Sequence, residues 1–319
     1  MRFSIVIPLK SDNAYIRETL AAFRQLDYAN YEIIVLPDEP FDGWGKDVKV
    51  IATGAVGPGA KRDLALPYTT GDVLAFLDDD TYPERDWLKN AVKYFTDPQV
   101  GAIGGPAVTP PSDSLRQQAS GNVYASFLGG GNYAYRYLPK ETKAVDDYPT
   151  CNLLVRRTVF ESIGGFDTTF WPGEDTKLCL DIVKRGLKII YAPDVIVYHH
   201  RRPLFAGHLN QVRSYALHRG YFAKRFPETS LRPSYFLPTF LVLGFFGGIM
   251  LALFFPGFGF VYAAGTIVYL AAVFFSALLA SQGVQLTLLT SLGIIATHLI
   301  YGVWFVAGLL APRLSEEIE

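Results

Sequence analysis

An uncharged stretch from Pro233 to Pro312 limits what this chain can fold into more than any other feature of the sequence. It has no Asp, Glu, Lys or Arg, although 18% of the whole chain is charged. Soluble helices normally carry a polar face, so a helical bundle buried in a soluble protein explains this stretch poorly. About 20 apolar residues cross the hydrocarbon core of a membrane. We therefore predict about three transmembrane helices, near 235–255, 259–280 and 287–311.

Basic residues precede the first predicted span: Arg219, Lys224, Arg225 and Arg232. The positive-inside rule then places the part of the chain before the spans in the cytosol. The apolar run at the amino terminus is too short for a signal peptide and agrees with this orientation. We expect an integral protein of the cell (inner) membrane, with a basic and aromatic helix at 205–232 in contact with membrane lipids. An odd number of spans would place the acidic tail, 313–319, outside.

The first part of the chain alternates short β-rich runs with helical patterns, which predicts a mostly parallel sheet. The predicted strands are 3–8, 32–37, 48–52 and 73–80, and the first helix is 14–26. Ligands of such sheets bind beyond the carboxyl ends of the strands.

Three aspartates, Asp78, Asp79 and Asp80, end the fourth predicted strand. Adjacent carboxylates repel one another, so a cation or strong hydrogen bonds must keep them ionised. Mg²⁺ and Mn²⁺ prefer such oxygen ligands together with substrate phosphates. Because side chains alternate along a strand, Asp78 and Asp80 should point to one side and Asp79 to the other. A solvated acidic turn that caps the next helix is the alternative.

A second acidic pair, Glu174 and Asp175, follows Trp171-Pro172-Gly173 at the start of a predicted helix, 174–185. A carboxylate at a helix amino terminus is stabilised by the helix dipole, so helix capping alone could explain Asp175. The surrounding glycines and aromatic residues instead favour a loop that packs a sugar ring beside a base.

Two cysteines, Cys151 and Cys179, form no disulfide framework and lack metal-binding spacing. The net charge of −1 gives no indication of nucleic-acid binding. Nothing in the sequence indicates an oligomeric state.

The ordered motifs resemble a known family. They are "VIPLKSDNAYIRETL", "GPGAKRDLAL", "GDVLAFLDDDTYPERDWL", "LLVRRTVFESIGGFD", "GEDTKLCLDIVKRG" and "YAPDVIVYHH". Over roughly residues 1–200 the chain resembles family 2 glycosyltransferases of the GT-A fold. Its arrangement is similar to succinoglycan-type transferases, which extend lipid-linked saccharides. The resemblance implies an α/β fold, with a Rossmann-like, mostly parallel GT-A catalytic domain at 1–204. Composition then predicts the basic and aromatic helix at 205–232, the transmembrane region at 233–312 and the tail at 313–319.

The resemblance also implies roles for individual residues. Asp175 would be the catalytic base, and Glu174 and Trp171 would position the acceptor. Asp80 and Asp78 would hold Mg²⁺ or Mn²⁺, with His199 as a further candidate ligand or else a histidine hydrogen-bonded near the membrane. The expected reaction inverts the anomeric carbon and moves one sugar from a nucleotide-diphosphate sugar to a lipid-linked acceptor. The residues expected to bind the nucleotide-sugar are Pro8, Lys10, Asp38, Lys61, Arg62, Asp78 and Asp79.

Two departures from the family pattern leave alternatives open. The second strand ends in Pro37-Asp38, where the family usually has two acidic residues, so the nucleotide stays undetermined. The glutamine-arginine-tryptophan motif of processive synthases is absent, which favours transfer of a single sugar. A polyprenyl-phosphate sugar synthase is the closest competitor, but its phosphate acceptor needs no general base. A non-catalytic membrane scaffold is the remaining alternative.

Overall fold

A computed structural model describes residues 1–317 of the chain. The chain folds into two compact units. Among the described residues, the first comprises 1–108 and 138–200, and the second comprises 109–137 and 201–317. Each unit therefore contains segments from two separate parts of the sequence.

The first unit is built on an eight-stranded sheet. Its strands are β1 (Phe3–Pro8), β2 (Tyr31–Leu36), β3 (Val48–Val50), β4 (Val73–Phe76), β6 (Val100–Gly104), β8 (Lys143–Val145), β9 (Leu153–Arg156) and β10 (Lys188–Tyr191), in the order β3-β2-β1-β4-β9-β6-β10-β8. Strands β1 to β4 run parallel, as do β6 and β10, whereas β9 runs antiparallel to both of its neighbours. The prediction of a mostly parallel central sheet is confirmed.

A second, smaller sheet has β11 (Val197–His199) at its centre, between β5 (Thr81–Pro83) and β7 (Ala107–Val108). Strand β11 pairs antiparallel with β5, so that His199 lies opposite Thr81. This pairing places His199 beside Thr81, the residue that follows the aspartate triplet, although more than a hundred residues separate the two in the sequence.

The helices of the first unit are α1 (Ala14–Phe23), α2 (Pro58–Ala65), α3 (Trp87–Tyr94), α6 (Arg157–Ile163) and α7 (Glu174–Lys184). The apolar side chains of α1 and α3 are buried in the same core as the sheet. Phe3, Ile5, Ile7 and Val35 on the strands are less than 1% exposed. Alternate residues of β1 face this core, and the others are also buried, as expected for a strand covered on both faces.

The second unit is helical. Its helices are α4 (Leu115–Ala125), α5 (Phe127–Gly130), α8 (Ala206–Arg225), α9 (Pro227–Ser230), α10 (Pro233–Phe254), α11 (Pro256–Ala280) and α12 (Val284–Leu310). Three of them, α10, α11 and α12, are long and apolar enough to cross a membrane. This agrees with the expected bundle of about three transmembrane helices.

Some elements differ from their predicted bounds. Strand β4 ends at Phe76, so the three aspartates lie in the turn that follows it. The glycine- and aromatic-rich segment 121–139 is partly helical, because α4 continues to Ala125 and α5 follows. By compactness, residues 109–137 group with the C-terminal helices, although a single domain was predicted for 1–204. The predicted domain boundaries stay predictions.

A buried histidine joins three helices of the second unit. His208 on α8 is fully buried; its Nδ1 lies 2.8 Å from the Ser120 hydroxyl on α4, and its Nε2 lies 2.9 Å from the Thr297 hydroxyl on α12. Burial and the nearby Arg201 guanidinium lower the pKa of His208 to about 4. The ring is therefore neutral in the folded protein at neutral pH.

This histidine predicts a loss of stability in mild acid. In the unfolded chain His208 is protonated below its ordinary pKa of 6.5, whereas in the folded chain it is protonated only below about pH 4. The free energy of unfolding therefore falls as the pH is lowered from 6.5 to 4. Between pH 7 and pH 5 the loss should be about 2 kcal/mol. Thermal unfolding of the detergent-solubilised protein as a function of pH measures it. The loss should shrink in His208→Gln and persist in the control His200→Gln, and an unchanged pH profile in His208→Gln would contradict the assignment.

Candidate active site

The aspartate triplet lies in a turn just beyond the carboxyl end of β4. Asp79 accepts a hydrogen bond from the Asn13 side chain at 2.6 Å, and Asn13 is also the residue that caps α1. The Thr19 hydroxyl of α1 donates to the Thr81 carbonyl at 2.9 Å. Asp78 and Asp80 are both half-buried, and each has a carboxylate oxygen close to the same His199 ring. Asp79 thus bonds Asn13, whereas Asp78 and Asp80 share a group with His199, in a turn beyond the end of the strand. That the side chains point to opposite sides stays a prediction.

Asp79 differs from its neighbours in its protonation. Burial raises the pKa of Asp79 to about 6, and the Asp80 and Asp78 charges add to this effect, whereas the hydrogen bond from Asn13 opposes it. The Asp79 carboxylate is therefore protonated at a higher pH than that of an ordinary aspartate. Asp79 also has a structural role, because its hydrogen bond with Asn13 connects the turn to the start of α1.

Asp78, Asp80 and His199 form a set of donors that fits a divalent cation. One donor atom from each residue lies within 4.8 Å of the other two, and the His199 Nε2 is 3.2 Å from the Asp80 Oδ1. Carboxylate oxygens are the ligands that Mg²⁺ and Mn²⁺ prefer. The backbone N–H of His200 donates to the Asp80 carbonyl at 3.0 Å and so fixes β11 to the triplet turn.

A buried arginine connects the triplet to the second acidic pair. Arg62 on α2 is 2% exposed. One guanidinium nitrogen donates to the Asp78 carboxylate at 2.7 Å, and the other donates to the Glu174 carboxylate at 3.2 Å. Burial raises the pKa of Glu174, and the Arg62 charge opposes that rise. The guanidinium also lies over the Phe166 ring, 5.6 Å from its centroid.

Asp175 lies one residue beyond Glu174, in the first turn of α7. Its carboxylate accepts a hydrogen bond from the Thr176 backbone N–H at 2.7 Å, and the residue is half-buried. The chain enters α7 through Gly173, whose φ of 122° favours glycine. Asp175 therefore lies at the amino terminus of α7. Arg62 links this helix to the aspartate turn through Glu174 and Asp78. Trp171, in the loop before the helix, is 57% exposed.

The expected nucleotide-binding residues lie at the ends of β1 and β2. Pro8 ends β1 and is buried, whereas Lys10 just beyond it is exposed. The Lys61 ammonium is 2.5 Å from the Asp38 carboxylate and 2.9 Å from the Thr53 hydroxyl, and it also donates to two strand-end carbonyls. At 3% exposure, Lys61 acts here by holding Asp38 rather than by reaching outward. Its predicted contact with the nucleotide stays a prediction.

Three contacts that build this site were not predicted from the sequence. Asn13 holds Asp79, Trp44 donates to Asp12 at 2.8 Å, and Asp63 accepts from the Phe166 backbone N–H at 2.8 Å. The Asp63 contact supports the loop before α7 from α2, next to Arg62. Asn13 alone had a sequence signal, because an asparagine that precedes an amphipathic helix is a common helix cap.

The geometry agrees with a comparison against known protein families. Residues 1–214 match the family described as "Glycosyltransferase like family 2". The chain belongs to this family. The match includes the whole first unit and confirms the resemblance that the motifs indicated.

Individual relatives extend the comparison. A pre-mycofactocin glycosyltransferase of Mycobacterium tuberculosis is 29% identical over 208 residues, which cover 62% of this chain and 43% of that relative. A Methanococcus voltae dolichyl N-acetyl-α-D-glucosaminyl phosphate 3-β-D-2,3-diacetamido-2,3-dideoxy-β-D-glucuronosyltransferase is 23% identical over 244 residues, covering 70% of this chain and 74% of the relative. The chain thus spans less than half the length of the mycobacterial relative.

A solved structure supports the fold over nearly the whole chain. It is that of the mannosyltransferase PcManGT from Pyrobaculum calidifontis, in complex with GDP-Man and Mn²⁺. It has a TM-score of 0.57 and 21% identity, and the alignment covers 98% of this chain and 88% of that one. The predicted GT-A fold with C-terminal apolar helices is confirmed.

The Arg62 bridge predicts a large effect on stability. Replacing Arg62 by Met should lower the free energy of unfolding by about 3 kcal/mol, because the Glu174 carboxylate would stay buried without its counter-charge. Urea unfolding of the detergent-solubilised protein measures the change. The control Arg17→Met removes an exposed ion pair with Asp12 and should leave stability nearly unchanged. If the two variants are equally stable, Arg62 does not hold the acidic groups together.

Proposed function

We propose that this protein is a metal-dependent, inverting glycosyltransferase that moves one sugar from a nucleoside diphosphate sugar to a hydroxyl of a lipid-linked saccharide or glycolipid at the cytosolic face of the membrane. The observation that carries the proposal is the Arg62 bridge. It fastens the element that bears Asp175 to the aspartate turn, so that an acceptor base and a diphosphate site belong to one constellation. Family membership supports the reaction class.

Asp78, Asp80 and His199 would hold Mg²⁺ or Mn²⁺. When bound, the ion supplies positive charge that offsets the charge developing on the departing diphosphate. The mannosyltransferase of the same fold holds GDP-Man and Mn²⁺ together, which supports this pairing of donor and ion. Asp38, held by Lys61, and Pro8 and Lys10 at the end of β1 would bind the nucleoside.

Asp175 would remove the proton from the acceptor hydroxyl as that oxygen attacks the anomeric carbon. A general base must be within hydrogen-bond reach of the proton that it takes, and a helix amino terminus favours a negatively charged side chain. Glu174 is nearly fully buried and engaged with Arg62 and the Gly173 backbone N–H. Glu174 would therefore position Asp175 and the acceptor indirectly, whereas the exposed Trp171 is suited to stack on the acceptor sugar.

The apolar helices support an acceptor in the membrane. The Methanococcus voltae relative is named for action on a dolichyl-linked sugar phosphate, which is a lipid-linked saccharide. Basic residues before α10 favour the cytosolic face, where nucleotide sugars are available. A polyprenyl phosphate is the competing acceptor, and it is already anionic.

The base assignment is tested by Asp175→Asn. Transfer to a lipid-linked saccharide should fall by about 10²- to 10⁴-fold, because the amide cannot accept the proton, while binding of the donor with Mn²⁺ is retained. Transfer of radiolabelled sugar and calorimetric donor binding measure the two effects. The control Asp181→Asn lies on the same helix and pairs with Lys177, so it should keep normal transfer.

Normal transfer by Asp175→Asn to a saccharide hydroxyl would remove Asp175 as base. If that variant also glycosylates a polyprenyl phosphate at the wild-type rate, and the wild type uses no saccharide acceptor, the phosphate-acceptor alternative is correct.

Metal dependence is tested by donor hydrolysis across a set of nucleoside diphosphate sugars that includes GDP-mannose. EDTA should abolish hydrolysis, and Mn²⁺ or Mg²⁺ should restore it, because Asp78 and Asp80 cannot offset the diphosphate charge without a cation. His199→Ala should raise the Mn²⁺ concentration required, whereas the neighbouring control His200→Ala should not. Full hydrolysis in EDTA would contradict a metal at this site.

A further inference from the structure

Within residues 1–317, three helices are long and apolar enough to cross a membrane, but the packing of α12 differs from that of α10 and α11. The exposed apolar side chains of α10 lie on all sides of the helix, as for a span surrounded by lipid. Those of α12 fall on a single stripe, formed by Val284, Leu288, Leu292, Val303 and Leu310. Other helices of the second unit pack against the rest of α12, where Thr287, Thr290, Ile294, Thr297 and Phe305 are buried.

Helix α8 runs beside the second half of α12 over several turns. The His208 side chain meets Thr297, and at the other end the Lys224 ammonium donates to the Ala311 carbonyl at 2.5 Å. Two glycines bring the backbones into contact. A methyl group on Gly308 would lie 1.9 Å from the Leu217 carbonyl oxygen, and one on Gly220 would lie 2.0 Å from that of Phe305. The two helices therefore lie at the same depth.

Helix α8 is too polar for the hydrocarbon core. It carries Arg213, Arg219, Lys224 and Arg225, and charged side chains at the centre of a bilayer are costly. Arg213 stacks on Trp304 at 3.9 Å, and Arg219 lies over the Tyr235 ring at 5.1 Å. Arginine paired with tryptophan or tyrosine is typical of the membrane boundary. The part of α12 that packs on α8 must lie at this boundary too.

The first half of α12 contacts a segment that stays on one side of the membrane. Residues 109–137 leave the first unit and return to it, and α4 and α5 are too short to cross. Gly293 of α12 packs against Val123 of α4, and the His298 ring bonds the Leu128 carbonyl at 2.8 Å. Thus α12 is anchored to this side along its length.

The hairpin of α10 and α11 meets α12 at its base. Thr239, near the start of α10, donates to the Gly302 carbonyl at 2.9 Å, and Ser281, at the end of α11, bonds Thr290 at 3.1 Å. At about 1.5 Å per residue, both hairpin helices exceed the roughly 30 Å of a bilayer core. The start of α10 and the end of α11 therefore meet α12 on the membrane side where residues 109–137 lie. The turn between α10 and α11 reaches the opposite side of the membrane.

We propose that only α10 and α11 cross the membrane, and that α12 lies along the membrane boundary with its apolar stripe against lipid, so that the C-terminal tail stays on the side of the catalytic unit. The tail contact agrees with this placement, because the Glu316 carboxylate lies within hydrogen-bond distance of the His218 ring of α8. Counting three spans from composition would put the tail on the opposite side. This topology is independent of the proposed reaction.

Single cysteines in the full chain test the topology, since Cys151 and Cys179 are buried and supply a low background. Three positions are compared with a membrane-impermeant maleimide on intact cells and after permeabilisation. Ser315→Cys marks the tail, Gly257→Cys marks the hairpin turn, where a side chain meets nothing within 4 Å, and the exposed Glu141→Cys marks the catalytic unit.

Gly257→Cys should label in intact cells, whereas labelling of Ser315→Cys and Glu141→Cys should be lost until the membrane is opened. Labelling of Ser315→Cys in intact cells would show that α12 crosses and would overturn the proposal, as would labelling of Gly257→Cys only after permeabilisation. Alkaline phosphatase joined after the last residue gives a second readout. It should be inactive, and an active fusion would equally overturn the proposal.

Discussion

The Arg62 guanidinium holds the two acidic groups of the site at a fixed separation. It is 2% exposed and donates to Asp78 on one side and to Glu174 on the other, at 2.7 and 3.2 Å. Without a shared counter-charge, burial of Glu174 near the aspartate turn would be unfavourable, because like charges repel more strongly away from water. The end of β4, the helix α2 and the start of α7 therefore depend on one side chain for their mutual position.

A single buried cation also contacts several groups at the end of the site where the nucleoside is expected to bind. Lys61, the residue before Arg62, satisfies Asp38, Thr53 and two strand-end carbonyls. Two adjacent cations of α2 thus serve different acidic groups. A buried charge is tolerated only when it is paired and hydrogen-bonded, and both are. The consequence for the proposed reaction is that Asp38 and the start of α7, which bears Asp175, are both held by side chains of α2.

In the helical unit, close backbone contact replaces charge as the organising element. Glycines at 220, 302 and 308 let α8, α10 and α12 approach to distances at which a methyl group would clash. Small residues at helix interfaces are usual in membrane proteins, where apolar side chains gain little by leaving lipid. The neutral His208 adds a directed contact among α4, α8 and α12. Together these contacts, and not hydropathy, distinguish α12 from the helices of the hairpin.

The sequence by itself determined the parallel sheet, the apolar C-terminal helices, the family and the acidic residues of the site, because periodicity and motif order are local properties of the chain. Only the tertiary structure decided that Arg62 bridges Asp78 and Glu174, that Lys61 holds Asp38, and that β11 brings His199 to Asp80. These contacts join residues 16 to 119 positions apart, and no local pattern encodes them. The packing of α12 is likewise visible only in the tertiary structure. Its composition is that of a transmembrane helix, and only its contacts with neighbouring helices lead to the proposal that it does not cross the membrane.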